Sequence, residues 1–182
     1  MRERFDYCSH YCEENVWRLC QREELADREV EIAFVSNAEK TCLFWNQRAA
    51  HSGDSGVVWD YHVILLAASE AGWEVWDLDT TLPFPCAAAT YLEWTFQPEL
   101  VIPDQYRPRF RLLTRAEFLR WFSSDRSHMV REGGGWNMPP PAWEAPFQET
   151  RGMNLARFFS MEEEFVGEVL SLEELCARKG VA

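Results

Sequence analysis

The spacing of apolar residues near the start of the chain predicts a helix. Cys12 is followed by Val16, Leu19 and Cys20 at i+4, i+7 and i+8, which places all four on one helical face. This pattern predicts a helix over residues 12–25, with Cys12 at its beginning. The first backbone N–H groups of a helix lack partners within it, and the helix dipole favours negative charge there. The position therefore favours the thiolate form of Cys12.

Two acidic residues, Glu13 and Glu14, follow this cysteine directly. Their charges oppose a thiolate, but acidic side chains are also favourable in the first turn of a helix. Their expected role is therefore to cap the helix.

The region after this helix is rich in β-branched and aromatic residues, which is typical of strands. Residues 30–36 and 41–46 form two predicted strands around a turn at 37–40. Residues 57–67 and 73–78 form a predicted hairpin that extends the same sheet.

The hairpin brings a histidine close to a carboxylate in either of two registers. Opposite residues of an antiparallel pair have a constant sum of sequence numbers and share one face. A loop over residues 68–71 places His62 opposite Asp77, whereas a loop over residues 69–72 places it opposite Asp79. Periodicity leaves both registers open, because the two aspartates lie on the same face of their strand.

The remainder of the chain predicts helices that pack on this sheet. Alanines favour a helix over residues 86–96, and residues 110–113 are a candidate strand. Residues 114–117 and 171–174 have the spacing of capping boxes, and each predicts the start of a helix. Gly180 is expected to end the second of these helices.

Length and composition favour one domain with a large apolar core. The 182 residues fit a domain of common size, and neither a repeat nor a shift in composition marks a second one. Hydrophobic residues make up 47% of the chain, which excludes a disordered protein. We therefore expect a single α+β domain over residues 1–182, an antiparallel sheet flanked by helices.

The net charge of −12 at pH 7 argues against nucleic acid or an anionic membrane as a partner. A cationic group such as a free α-ammonium would be attracted, although the same acidity also serves solubility. No apolar run approaches the roughly 20 residues that span a bilayer, and the first ten residues lack the core of a signal peptide. We therefore expect a protein of the cytosol or the nucleus.

The cysteines are scattered along the chain, and without a secretory signal they are expected to be reduced thiols. They are Cys8, Cys12, Cys20, Cys42, Cys86 and Cys176. The first two, with His10 between them, are close enough to suggest a metal site, but no second cluster supplies the remaining ligands. The sequence therefore predicts neither a metal nor another cofactor.

Three short segments supply a cysteine, a histidine and a carboxylate in the order of a papain-type thiol triad. Cys12 lies in YCEEN, His62 in WDYHV and Asp77 in WDLDT. A thiol is a modest nucleophile at neutral pH until its pKa is lowered or a base takes its proton. His128 is a rival imidazole, for which capping and ion pairing are favoured. Cys86 is a rival thiol in an apolar segment that predicts an inert one.

The chain resembles the protein N-terminal glutamine amidohydrolases of the N-degron pathway, also called N-terminal glutamine amidases. Five blocks carry the resemblance in family order: YCEENVWRLC, WDYHVILL, WDLDTTLPFPC, SDRSHM and MNLARFFSM. The resemblance implies that Cys12 is the nucleophile, His62 the general base and acid, and Asp77 the orienting carboxylate. It also implies a papain-like or transglutaminase-like cysteine hydrolase core.

The same resemblance implies a reaction and its partners. The substrate would be a protein or peptide with an unblocked N-terminal glutamine, and its side-chain amide would become a carboxylate with release of ammonia. The product is a secondary N-degron, so an arginyltransferase and a ubiquitin ligase are candidate downstream partners. We expect a monomer. The alternatives are another Cys-His-Asp acyltransferase, such as a transglutaminase or peptidase, and a non-catalytic module that binds N-terminal glutamine.

Two features of the substrate site stay open at this stage. The acid that reads the α-ammonium group could be Asp79, Glu13, Glu14 or Asp60. The Gly-rich and Pro-rich segment 130–148 could be a lid, but a loop packed on the core is favoured.

Overall fold

The computed structural model describes residues 2–52 and 55–181. The α-helices of this part of the chain are α1 (Cys12–Leu19), α2 (Ala88–Phe96), α3 (Arg115–Trp121), α4 (Leu155–Phe159) and α5 (Leu172–Lys179). The strands are β1 (Val30–Ser36), β2 (Cys42–Phe44), β3 (Val57–Trp59), β4 (His62–Ser69), β5 (Gly72–Trp76), β6 (Cys86–Ala87), β7 (Arg109–Thr114) and β8 (Glu168–Ser171). Short 3-10 helices occur at Arg2–Arg4, Glu23–Leu25, Asp104–Tyr106 and Ser127–Met129.

Six strands form one antiparallel sheet in the order β6-β5-β4-β1-β7-β8. Alternate residues of β1 feed two apolar cores on opposite faces of this sheet, because successive side chains of a strand point to opposite sides. Ile32 and Phe34 pack with α1, α3 and α4, whereas Ala33 and Val35 pack with α2 and α5. The prediction of an α+β fold with an antiparallel sheet and helices is confirmed.

Strand β2 does not extend this sheet, so the predicted pairing of its first two strands is wrong. It pairs with β3 in a separate two-stranded sheet, in which Cys42 lies opposite Trp59. The edges of β1 are already occupied by β4 and β7, which leaves no place for β2. The strand predicted over residues 57–67 is also divided, because Asp60 and Tyr61 interrupt it between β3 and β4.

Helix ends follow the local sequence closely. Thr114 and Ser171 each form the predicted capping box, and Gly180 ends α5 with a φ of 64°. Helix α1 ends at Leu19 rather than at residue 25, because residues 21–24 are polar and cannot continue the buried stripe. Helix α2 begins two residues later than predicted, since residues 86–87 form β6 and pair with β5.

A buried arginine fixes the C-terminal third of the chain against the sheet. Arg111 of β7 is 1% exposed and donates hydrogen bonds to backbone carbonyls around the end of α4. Its acceptors include Phe158, Ser160 and Glu163, at 3.1, 2.6 and 2.8 Å. These bonds satisfy both the buried guanidinium and carbonyls that face it.

Candidate active site

The β4–β5 hairpin brings His62 and a carboxylate together, although not by simple cross-strand pairing. Leu65 lies opposite Trp76 and Ser69 opposite Gly72, a register that extrapolates to Asp79 as the partner of His62. Pairing stops at Trp76, however, and the chain turns. Asp77 consequently reaches the imidazole, with 3.0 Å between His62 Nε2 and Asp77 Oδ1.

Asp77 is 2% exposed, but its carboxylate is surrounded by donors. Oδ1 also accepts the backbone N–H of Asp79 at 2.9 Å, while Oδ2 accepts the hydroxyl of Tyr91 at 2.8 Å and the amide of Gln47 at 3.4 Å. Burial raises the pKa of Asp77, but the charge and hydrogen bond of His62, with these donors, lower it overall. The carboxylate is therefore ionised at neutral pH.

The small β2–β3 sheet holds the imidazole of His62. Trp59 stacks on the ring with centroids 6.1 Å apart, and Phe44 meets it edge-on at 5.4 Å. An ionised carboxylate only accepts hydrogen bonds, so the contact with Asp77 assigns the proton to Nε2 and leaves Nδ1 as the basic nitrogen. Burial lowers the pKa of His62, but the charge and hydrogen bond of Asp77 outweigh it and raise the pKa above 6.5.

Cys12 is the first residue of α1, which packs on β4. Its thiol donates to Glu13 Oε2 at 3.6 Å, and the backbone N–H of Val63, the residue after His62, favours the thiolate form. Burial raises the pKa of the Cys12 thiol well above 9, and the charges of Glu13 and Asp79 raise it further. The prediction of a thiolate is therefore wrong for the free protein, because burial outweighs the helix start.

The thiol and the imidazole open onto one cleft of about 350 Å³. Side chains from all five sequence blocks form its walls, together with His10 and one residue of the long loop. They are His10, Cys12, Trp59, Asp60, Tyr61, His62, Asp79, His128, Met129, Asn137 and Phe159. The cleft therefore combines a thiol, an imidazole held by a carboxylate, and further acids.

Comparison with known proteins assigns the chain to a family. Residues 7–179 match the family described as N-terminal glutamine amidase. The chain belongs to this family. The amidase relatives cover most of the chain as well, and each is named protein N-terminal glutamine amidohydrolase. The bovine relative is 42% identical over 178 residues, covering 94% of this chain and 86% of its own length.

The human relative is 41% identical over 180 residues, covering 96% of this chain and 87% of its own. The relative from Oryza sativa subsp. indica is 37% identical over 181 residues, covering 93% of this chain and 78% of its own length. Similarity to this amidase family thus extends across animals and plants, and the resemblance drawn from the sequence blocks is confirmed.

Side chains of the YCEEN block fix the start of α1 through hydrogen bonds to the segments around it. The side chain of Asn15 bonds both the N–H and the carbonyl of Cys8, at 2.8 and 2.9 Å, and so closes the loop before the helix. The buried hydroxyl of Tyr11 donates to the carbonyl of Met138 at 3.1 Å. The backbone of Cys12 is thereby fixed from both sides.

The capping role predicted for the two acids after the cysteine is wrong for Glu14. This side chain is fully buried and accepts two hydrogen bonds from the guanidinium of Arg126 and one from the indole of Trp143. Glu13 is also fully buried; its carboxyl contacts its own backbone N–H and the hydroxyl of Tyr61. Both side chains face the protein interior.

The segment over residues 130–148 packs against α1, which agrees with the favoured interpretation of a loop packed on the core, but it also reaches the cleft. Arg126, with a φ of 66°, donates to the carbonyls of Pro141 and Trp143 as well as to Glu14. The loop also supplies Asn137 to the cleft, for which the sequence offered no signal. It is therefore a packed wall of this cleft.

The capping and ion-pairing role predicted for His128 and its neighbours is confirmed in part. Arg126 of the SDRSHM block forms an ion pair with Glu14, and Asp125 accepts the N–H of Ser127. Among the described residues, neither ring nitrogen of His128 has a hydrogen-bond partner, although Nε2 lies 3.6 Å from Glu13 Oε1. The imidazole lines the cleft, so this block contributes to the site as well as to the fold.

Among the described residues, one group of three side chains is close enough together to hold a metal ion. Atoms of His62, Asp77 and Asp79 that could ligate a metal lie within 4.8 Å of one another. The first two are already hydrogen-bonded to each other, which accounts for their closeness without an ion.

Proposed function

We propose that this protein hydrolyses the side-chain amide of an N-terminal glutamine, producing N-terminal glutamate and ammonia. Membership of the N-terminal glutamine amidase family supports this substrate, as do relatives named protein N-terminal glutamine amidohydrolase. The observation that carries a thiol mechanism is the joint opening of Cys12 and the His62–Asp77 pair onto one cleft.

In the first half of the reaction, Nδ1 of His62 takes the proton of the Cys12 thiol as Sγ attacks the carboxamide carbon. The C=O bond becomes an oxyanion, and a carbon–sulfur bond forms. The imidazolium then protonates the amide nitrogen, the carbon–nitrogen bond breaks, and ammonia leaves. The product of this half is a thioester between Cys12 and the glutamyl side chain.

In the second half, His62 takes a proton from water, and the resulting hydroxide attacks the thioester. Collapse of this intermediate breaks the carbon–sulfur bond and returns the proton to Cys12, which releases glutamate. Asp77 keeps the proton on Nε2 in the resting state and stabilises the imidazolium, while remaining ionised itself.

Because the pKa of Cys12 is raised, the proposed reaction needs the imidazole of His62 as a base. A thiol that is neutral in the free protein reacts only when a base accepts its proton during attack. The amide N–H of Cys12 suits the developing oxyanion, since a first-turn N–H has no acceptor within the helix. Loss of one such donor typically costs on the order of 100- to 1,000-fold in rate.

The cleft suits a short, flexible, cationic chain terminus. Its acidic lining attracts an α-ammonium group, and an N-terminal asparagine would hold its amide one methylene short of Sγ. We therefore propose selectivity for unblocked glutamine over asparagine, acetylated glutamine and internal glutamine.

We further propose a papain-like or transglutaminase-like core. The support is the chain order, with a cysteine at the start of a helix, a histidine on an antiparallel strand packed against it, and an aspartate after the next strand.

In the described residues no helix has the length and apolarity to cross a membrane.

We also propose a monomer of the cytosol or nucleus whose product is passed to an arginyltransferase and a ubiquitin ligase. Free thiols at all six cysteines suit a reducing compartment. The downstream partners follow from the family resemblance and from the chemistry of an exposed N-terminal glutamate.

The deciding experiment measures ammonia release and the mass change from amide to acid. Matched peptides begin with Gln, Asn or acetyl-Gln, or carry Gln internally, and each is incubated with wild type and Cys12→Ala. Conversion of the Gln-initiated peptide alone, lost in the variant, is the expected result. Transfer to a fluorescent amine would instead indicate an acyltransferase, and binding without conversion would indicate a recognition module.

A further inference from the structure

The cleft must distinguish an N-terminal glutamine from an internal one, and the chemical difference is a free α-ammonium group. The acids near the reacting groups are Glu13, Glu14, Asp60, Asp77 and Asp79. We propose that Asp79 is the residue that binds the substrate α-ammonium. The inference rests on the proposed function and adds a specificity-determining residue to it.

The two glutamates beside Cys12 are unsuited to this task. Both oxygens of Glu14 are taken by Arg126 and by the indole of Trp143. Glu13 is 0% exposed, so no part of its side chain reaches the cleft surface. Burial raises the pKa of Glu13 to about 7 and also raises the pKa of Asp79, so it is access to the cleft that separates these two acids.

Two of the aspartates are also unsuited to bind the substrate α-ammonium group, for opposite reasons. Asp77 is buried, and both of its oxygens are committed to His62, Tyr91 and other donors. Asp60 is exposed, and its Oδ1 already accepts the backbone N–H of Tyr61 at 2.9 Å. An ion pair in open solvent adds little binding energy.

Asp79 differs from these acids in its setting. It lines the cleft together with Cys12 and His62 and is partly buried. Its Oδ1 accepts the hydroxyl of Tyr7 at 2.5 Å, and no hydrogen bond within the described residues uses Oδ2. The guanidinium of Arg48 lies over the Tyr7 ring at 4.7 Å and makes no ion pair with Asp79 in this part of the chain. The carboxylate is therefore oriented at one oxygen and open at the other.

The distances between Asp79 and the His62–Asp77 pair are compatible with the length of a glutamine side chain. Potential ligand atoms of Asp79, His62 and Asp77 lie within 4.8 Å of one another. In glutamine, the α-nitrogen and the carboxamide carbon are four bonds apart, or about 5 Å in an extended conformation. An ammonium bound to Asp79 therefore leaves the carboxamide within reach of His62, and Cys12 lines the same cleft. Acetylation or a preceding residue removes the charge that Asp79 would bind.

The test pairs a variant with a substrate that lacks only the α-amine. Wild type and Asp79→Asn are compared on a Gln-initiated peptide and on the same peptide carrying a 5-amino-5-oxopentanoyl group in place of glutamine. We expect Asp79→Asn to raise KM for the Gln peptide by about 10- to 100-fold, the usual range for one charged hydrogen bond. The des-amino peptide, already a poor substrate, should lose no more than about 3-fold in kcat/KM.

Two further variants make the assignment specific. Asp60→Asn removes the rival acid of the cleft rim and should have a smaller effect on KM than Asp79→Asn. Asp104→Asn, at a fully exposed side chain outside the cleft, should behave as wild type. Equal losses of kcat on both peptides in Asp79→Asn would overturn the proposal, since Asp79 would then act on His62. A larger KM effect in Asp60→Asn would also overturn it.

Binding measurements separate this proposal from the proposed reaction. In a Cys12→Ala background, calorimetry should show tighter binding of the Gln peptide than of the des-amino peptide, and Asp79→Asn should abolish that difference. Tyr7→Phe, which keeps the charge of Asp79 but removes its orienting hydrogen bond, should reduce it partly. A preference that survives Asp79→Asn sinks the proposal. Failure of wild type to release ammonia would instead refute the proposed function, whatever the binding result.

Discussion

Arg126 and Glu14 form a two-pronged ion pair across 112 residues of sequence, with Nε–Oε1 and Nη2–Oε2 distances of 2.7 and 2.8 Å. Glu14 is fully buried and the Arg126 side chain is 11% exposed, so the pair lies largely out of water. Trp143 donates a third hydrogen bond to the same carboxylate. The first turn of α1, and with it Cys12, is thereby fixed to the long loop that walls the cleft.

We predict that Arg126→Gln destabilises the protein by about 3–5 kcal/mol, because it leaves a buried carboxylate without its countercharge. Urea unfolding should detect the loss. The double variant Glu14→Gln/Arg126→Gln should recover part of it, since no unpaired charge remains. Arg107→Gln is the matched control, since Arg107 pairs with Asp104 in solvent, and it should cost less than about 1 kcal/mol. A loss in Arg126→Gln as small as in this control would contradict the argument.

The reactivity of Cys12 should report its protonation state. Because burial and Glu13 raise the pKa of this thiol well above 9, alkylation by iodoacetamide should be slow at pH 7 and accelerate beyond pH 9. Peptide mapping by mass spectrometry measures the rate at each cysteine. The exposed reference is free cysteine in solution, and alkylation of Cys12 faster than this reference at pH 7 would show a preformed thiolate instead.

The role of the carboxylate can be tested through the pH dependence of the reaction. Asp77→Asn should lower kcat by about 10³- to 10⁴-fold, because the imidazole loses the group that fixes its tautomer and stabilises its cation. The acidic limb of kcat/KM should also move to lower pH. Burial lowers the pKa of His62, and Asp77 does most to raise it, with smaller contributions from Asp79 and Glu13.

The comparison variant is Asp79→Asn, which removes a smaller contribution to the pKa of His62 but leaves the hydrogen bond between His62 and Asp77 in place. Its acidic limb should stay closer to that of wild type. An unchanged pH profile in Asp77→Asn would show that Asp77 does not tune the imidazole.

The main features of the fold could be predicted from the sequence because they depend on local patterns. The capping boxes at Thr114 and Ser171 and the buried strand over residues 30–36 are encoded within a few residues. The place of β2 could not be predicted, because it depends on which strands occupy both edges of β1.

The candidate site could also be predicted only in part. Periodicity brought a carboxylate to His62 but could not select Asp77, since the end of strand pairing at Trp76 decides which aspartate turns inward. The burial of Glu14 could not be predicted either, because its partner lies 112 residues away. Resemblance to the family selected Asp77, because it compares whole sequence blocks, whereas periodicity only shows which residues share a face.

The last prediction concerns the buried carboxyl group next to the nucleophile. Burial raises the pKa of Glu13 from 4.5 to about 7. Between these values the folded protein holds a proton that the unfolded chain has lost, so stability falls as pH rises from 4.5 to 7 and then levels off. The loss amounts to about 3 kcal/mol, because each unit of pKa difference corresponds to about 1.4 kcal/mol.

Glu13→Gln keeps the shape of the neutral carboxyl group and removes its titration. The free energy of unfolding of this variant should therefore exceed that of wild type by a margin that grows between pH 5 and pH 8. Denaturant unfolding of both proteins at matched pH values measures the margin. Glu173→Gln, on the exposed first turn of α5, is the control and should show no such trend. A constant difference between Glu13→Gln and wild type across this range would mean that Glu13 is already ionised in the folded protein at pH 5, at the cost of the buried charge beside Cys12.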